Sequence, residues 1–198
     1  MTQTARLPSA RQAELLERAY GYVLTHGLAG LSLRPLAAAI GSSPRVLLFL
    51  FGSKEGLLRA ILARARADEL AFLAQARSRA GHPGAGGLPD VVRVTWQWLA
   101  AGSHRKLLIL WAEAYTRSLT EPDGPWAGFA RQTVADWLAV LAEAQPSALR
   151  DTPAGAAERT LALAVLRGAL LDLLATGDAP RTTGSVERYL STAPPPEP

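Results

Sequence analysis

Three histidines, His26, His82 and His104, are all the imidazoles among the 198 residues. No two of them stand three or four positions apart, so a helical zinc site has poor support. The Ser103-His104 pair lacks an evident carboxylate partner, and no glycine-rich phosphate loop follows a strand, so no nucleophile, base and acid assemble from the sequence. The absence of cysteine excludes thiolate metal sites, thiol nucleophiles and disulfides, and it fits a reducing, cytosolic setting. The residues left to do chemistry are arginines and tryptophans, and that chemistry is binding.

Both are unevenly placed. Residues 1–64 carry eight basic side chains (Arg6, Arg11, Arg18, Arg34, Arg45, Lys54, Arg59 and Arg64) against three acidic ones, an excess of five. The rest of the chain holds thirteen against fourteen, so the formal net charge of +4 comes from the first third. A basic module on a neutral body suits a polyanionic partner, although solvated helix faces would show the same excess. All five tryptophans (Trp96, Trp98, Trp111, Trp126 and Trp137), with Tyr115 and Phe129, fall outside that third. Large rings with one donor each suit an aromatic-lined cavity, or a packed core.

The elements that must position these groups are helices. Apolar residues recur at spacings of three and four, and no sustained alternation suggests a strand, which predicts an all-α fold. Ser9 opens a first helix over 10–26, stopped at Gly27. Ser32 starts a short second helix that ends at Gly41, and Ser43-Pro44 starts a third that runs to Phe51. Ser53 then caps a long connector over 54–79. A flexible loop is expected over 81–89, followed by helices over 90–101, 103–119 and 125–144. Thr152-Pro153 opens a helix to Thr176 that ends at Gly177, a last short one spans 185–191, and 193–198 is a loose tail. The N-terminus lacks the apolar core of a secretory signal, and the longest apolar stretches are too short for a membrane span.

Gly41 as a turn places Leu36, Ala37, Ile40, Leu47 and Leu50 at the buried positions of two short crossing helices, and all five are apolar. Together with the basic excess, this predicts a helix-turn-helix. The run LSLRPLAAAIGSSPRVLLFLFGSKEGLLRAIL, Leu31 to Leu62, resembles the N-terminal domain of TetR-family transcriptional regulators. The resemblance rests on the Ser32-Leu33-Arg34 opening, the Gly41 turn and the Phe51-x-Ser53-Lys54-Glu55-x-Leu57-Leu58 close. It implies a three-helix DNA-binding domain over 1–53 and a helical effector-binding and dimerisation domain over 54–192. It also implies a homodimer whose third helices enter successive major grooves of a palindromic, double-stranded operator, about 34 Å apart or more. On that footing the Ser43 hydroxyl and the amides at the start of the third helix, where Pro44 takes the first position, meet a phosphate with Arg34 and Lys54, and Arg45 is the base reader or, equally, a further phosphate contact. Relatives commonly carry tyrosine and a polar residue where this chain has Leu48 and Phe49. Phe49 would pack on a thymine methyl, or a shifted helix would bury both.

In the body, Trp96, Trp111, Tyr115, Trp126, Phe129 and Trp137 are candidate walls of an effector cavity, with His104, Glu113, Arg117 and Asp136 as candidate polar anchors. The scarcity of charge there points to an apolar or aromatic effector. The helix over 154–176 is apolar on two sides. Leu161, Ala164, Gly168, Leu171 and Ala175 form the candidate dimer face, opposite Leu163, Leu166, Leu170 and Leu174, with Arg167 and Asp172 as an interface rim. The expected function is a ligand-responsive repressor with no cofactor and no enzymatic activity. A DNA-binding dimer without an effector is the alternative, and an enzyme using the aromatic cavity is the remote one.

Overall fold

A computed structural model describes residues 9–80 and 87–192. The predicted tail over 193–198 and most of the predicted 81–89 loop lie outside the described residues. Ten α-helices and a single 3-10 turn make up the regular structure among the described residues. In chain order they are α1 (Ala10–His26), α2 (Leu33–Ala39), α3 (Pro44–Phe51), α4 (Lys54–Ala80), α5 (Gly87–Ala100), α6 (Arg105–Thr120), α7 (Phe129–Glu143), α8 (Ser147–Arg150), α9 (Pro153–Thr176) and α10 (Ala179–Thr192).

Helix starts follow capping chemistry. The hydroxyls of Ser9, Ser43 and Thr152 accept backbone N–H bonds from Gln12, Val46 and Gly155, which satisfies donors that a first helical turn leaves open. Pro44 and Pro153 follow directly, where a missing N–H costs nothing. Gly41 sits at φ +69° in the turn between α2 and α3, and the chain direction changes by 101° there, within the range of about 90–120° for a helix-turn-helix. Four elements differ from expectation, and one is α7, which begins at Phe129 and not at residue 125, because Gly128 before it is left-handed at φ +76°. α5 begins at Gly87, because Pro89 is accommodated in its first turn. The four-residue α8 was not foreseen. α10 starts at Ala179 and not at residue 185: the Asp178 carboxylate accepts the Arg181 amide at 3.1 Å, and Arg181 reaches back to Asp172 at 2.7 Å.

Two hydrophobic cores result. One joins Leu15, Val23, Leu36, Leu47, Leu57 and Ile61 of α1–α4, and it is closed by Leu110, Ala114 and Trp126 from the second half of the chain. The other gathers Val92, Trp96, Leu108, Trp137, Leu141 and Leu166 from α5, α6, α7 and α9. Helices α4 and α6 contribute to both. Contact across the seam is also polar. The amide of Leu28, just past the end of α1, donates to the Glu113 carboxylate on α6 at 2.9 Å. No single described helix is long and apolar enough to cross a membrane.

At Gly56, in the first turn of α4, a Cβ would lie 2.1 Å from the Phe51 carbonyl oxygen, a backbone contact that no rotamer relieves. Gly56→Ala is expected to destabilise the chain by about 1–3 kcal/mol or more. Gly21→Ala, on an exposed stretch of α1 with nothing within 4 Å, is expected to stabilise by up to about 1 kcal/mol through helix propensity. Urea denaturation of the two variants reads the contrast, and equal midpoints would contradict the packing described.

Candidate functional site

The basic face is narrower than the charge count. Arg11 and Arg18 pair with Glu14, and Arg64 pairs with Glu17 and Asp68. Arg18 also donates to the Ile40 carbonyl at 3.2 Å and Gln12 to the Leu50 carbonyl at 2.9 Å, so α1 holds the ends of both short helices. Arg34, Arg45, Lys54 and Arg59 make no hydrogen bond or ion pair among the described residues and are exposed. Arg34 and Pro44 border one shallow surface depression with Ser32 and Pro35. Lys54 borders a different groove, alongside Leu28, Glu55 and Trp126.

Helix α3 buries Leu47 and turns its other side outward. Arg45 is exposed, Leu48 is 40% exposed and Phe49 is 85% exposed. No shift of the helix hides the two apolar residues. Val46 is 38% exposed as well, so α3 leaves three apolar side chains outside the core.

The second site is an internal cavity of about 40 Å³ on the seam between the cores, with Leu62 and Ala65 of α4 on one side and Leu163, Leu166 and Leu170 of α9 on the other. Its aromatic walls are Trp98, Trp111, Phe129 and Trp137. Trp111, Phe129 and Trp137 are where the sequence reading placed them, whereas Trp96, Tyr115 and Trp126 are not on the wall. Trp96 turns its N–H to the Thr183 hydroxyl at 3.0 Å, and Trp126 donates to Glu121 at 3.1 Å beneath the Arg117 guanidinium. Tyr115 stands behind Trp111 with ring centroids 5.2 Å apart. Trp98, missed from the sequence, is two residues from Trp96 and so faces the other side of α5, where it stacks between Phe72 and His104.

The polar groups at the cavity are also not those expected. His104 bonds to the Trp98 carbonyl, Glu113 and Arg117 pair with each other, and Asp136 pairs with Arg66. None of these four expected anchors lines the cavity, whose lining residues include Arg66, Glu69 and Arg167 instead. Arg167 had been read as an interface rim. It points inward from α9, donates to the Tyr115 hydroxyl at 3.2 Å and lies over the Tyr115 and Trp111 rings. Asp172, the other expected rim residue, is held by Arg181. Glu69 is buried and accepts from the Trp137 indole at 2.6 Å. Burial pushes the Glu69 carboxyl above its usual range, against the indole hydrogen bond and the two guanidiniums, and burial also lowers the Arg167 guanidinium. Arg66 Nη1, Trp111 Nε1 and Arg167 Nη2 are buried donors without a partner among the described residues. Each such donor costs about 1–3 kcal/mol.

The candidate dimer stripe lies open on α9. Leu161 and Leu171 are 56% and 52% exposed, and Ala164, Gly168 and Ala175 are exposed between and beyond them, while Leu163, Leu166 and Leu170 are buried.

With this geometry in view, known proteins supply the fold. No family model matches the chain, and no curated protein matches it. Solved structures do. A TetR-family transcriptional regulator from Rhodococcus sp. superposes with a TM-score of 0.67 at 21% identity, over 92% of this chain and 100% of the other. The multidrug binding protein EbrR, complexed with proflavin, gives a TM-score of 0.66 at 26% identity over 91% and 98% of the two chains. A TetR transcription regulator from Haloarcula marismortui gives 0.67 at 15% identity over 91% and 95%. The fold is thus the TetR-family fold that the N-terminal motifs implied.

Because the folded chain disfavours an ionised Glu69, it binds that proton more tightly than the unfolded chain does. The stability contributed by this group is therefore present below the usual carboxyl value of 4.5 and is lost as pH rises through the raised folded value. Glu69→Gln keeps an acceptor for Trp137 and removes this loss. Its stability relative to wild type is expected to rise between pH 4.5 and neutrality, as read by urea unfolding at both. A pH-independent difference would show that burial does not govern the group.

Proposed function

We propose that this chain is a sequence-specific DNA-binding transcriptional regulator that works as a homodimer, a repressor released from a palindromic operator by a small, mostly apolar effector. The observation that carries the reading is α3. It sits after a 101° turn and presents Arg45, Leu48 and Phe49 outward beside unpaired Arg34.

The roles follow from chemistry. Arg45 bonds guanine O6 and N7, and Phe49 packs against a thymine methyl. Ser43 is already the cap of α3, so the first turn offers a phosphate the one amide left free there, that of Arg45, with Pro44 setting the approach. Arg34 and Lys54 are phosphate contacts that set register without reading sequence. The open α9 stripe of Leu161, Ala164, Gly168, Leu171 and Ala175 pairs with the same stripe on a second copy, and Gly168 lets the backbones approach. EbrR's complex with proflavin supports reading the seam cavity as an effector site. No described residue lining the cavity is serine, threonine, histidine or lysine, which favours binding over catalysis there. The small size of the cavity, about 40 Å³, favours a second reading, a DNA-binding dimer with no effector, since drug-sized ligands fill roughly 300–1,000 Å³.

Selection of bound sequences from a random duplex pool is expected to enrich an inverted repeat. On the enriched duplex, Arg45→Ala loses about 1–3 kcal/mol of discrimination against base changes in each half-site. Lys54→Ala weakens enriched and random duplexes alike and reduces the salt slope by about 1. No enrichment by the wild-type protein, or identical behaviour of the two variants, would overturn the assignment.

A further inference from the structure

We propose that the seam cavity takes a ligand with an anionic, hydrogen-bond-accepting head on an aromatic or aliphatic body, the head being held by Arg167, Trp111 and Arg66. This rests on reading the cavity as an effector site and goes beyond it by fixing the charge of the effector, which the sequence had left simply apolar.

Three donors at one cavity lack acceptors: Arg66 Nη1, Trp111 Nε1 and Arg167 Nη2 are buried and unbonded among the described residues, and all three residues line the same space. No buried acceptor at the cavity is left open in the same way. The carboxylate of Glu69 already takes the Trp137 indole proton at 2.6 Å. Glu69 makes no hydrogen bond to any of the three donors, so all three still call for acceptors, and a carboxylate or similar oxyanion supplies several at once.

Charge balance leads to the same ligand class. Arg66 is compensated by Asp136, but Arg167 has no carboxylate in contact. Its hydrogen-bonding partner is the neutral hydroxyl of Tyr115, at 3.2 Å. Glu69 acts on Arg167 only through space, with no hydrogen bond or ion pair between them, so the Arg167 guanidinium has no direct carboxylate partner among the described residues. The remaining wall, made of Trp98, Phe129, Leu108, Leu163 and Leu166 among others, is apolar and matches a hydrocarbon body. At about 40 Å³ the space holds little more than a water or two, so the body of the ligand enters by displacing leucine side chains of α6 and α9 while the head meets donors already in place.

The test is calorimetric titration of the full-length protein, without DNA, by two ring sizes in three charge states: benzoate and 2-naphthoate, their primary amides, and the corresponding arylmethylammonium ions. The carboxylate of at least one ring size is expected to bind about tenfold or more tightly than its amide, with the ammonium weaker still. Arg167→Met is expected to erase the carboxylate preference while amide binding persists, which also reports that the variant is folded. Glu69→Gln is expected to keep the preference. Preferred binding of the ammonium, lost in Glu69→Gln, would overturn the proposal, as would equal binding of carboxylate and amide or no binding of any probe. The effector reading fails separately: carboxylate-selective binding that leaves affinity for the enriched duplex unchanged would uphold the inference and sink the regulatory role of the site.

Discussion

The structure depends on one packing constraint: the hydrophobic core beneath α1–α3 is not complete without side chains of the body. The α1–α3 unit is too small to close its own interior, and it borrows Leu110 and Ala114 from α6 and Trp126 from the turn before α7. A unit of about 50 residues has little buried area to set against chain entropy, so the borrowed side chains decide how firmly α3 is held. The same α6 sends Leu108 into the body core. One helix thus has a face in each core, and its Glu113 carboxylate takes the Leu28 amide where the chain leaves α1.

The position of the cavity follows from that constraint. Where two cores meet along α4 and α6, side chains from five helices converge, and a small void with stranded donors remains. A ligand that displaces leucines of α6 presses on a helix that also carries Leu110 and Ala114 of the core beneath α1–α3. Coupling of this kind needs no separate relay, because a densely packed interior does not absorb such a displacement locally. The direction of any shift in affinity still has to come from a ligand that binds one arrangement better than the other.

The sequence made local chemistry plain and obscured long-range pairing. Ser9, Ser43 and Thr152 announce helix starts because a hydroxyl at a cap acts on residues three positions away, and all three act as read. The five apolar positions of the helix-turn-helix were legible because two short helices leave few ways to bury them. Arg167 was not legible. In a helix apolar on two sides, a lone arginine marks an interruption, and only the arrival of α6 with Trp111 and Tyr115 shows that it turns inward. Trp96 and Trp98 exchanged roles for a related reason, since the period of α5 separates their faces but does not say which one meets the cavity. The early start of α10 was hidden because Ala179 to Gly184 is a weak helical sequence, held by Asp178 and by the distant Asp172. Gly56 carried a signal that was passed over, a glycine one turn inside a helix that must start hard against the end of α3.

The most direct test of a shared core is whether the chain melts as one unit. In a Trp126→Phe variant the four remaining tryptophans, Trp96, Trp98, Trp111 and Trp137, all pack in the body core, so their fluorescence reports the body, whereas far-ultraviolet circular dichroism reports every helix, α1–α3 included. Thermal or urea unfolding followed by both probes on one sample is predicted to give superimposable single transitions, as expected for one cooperative unit. A separate loss of helical signal with no accompanying change in tryptophan fluorescence would show that α1–α3 unfolds alone, and would contradict the tie between the cavity and α3 through α4 and α6.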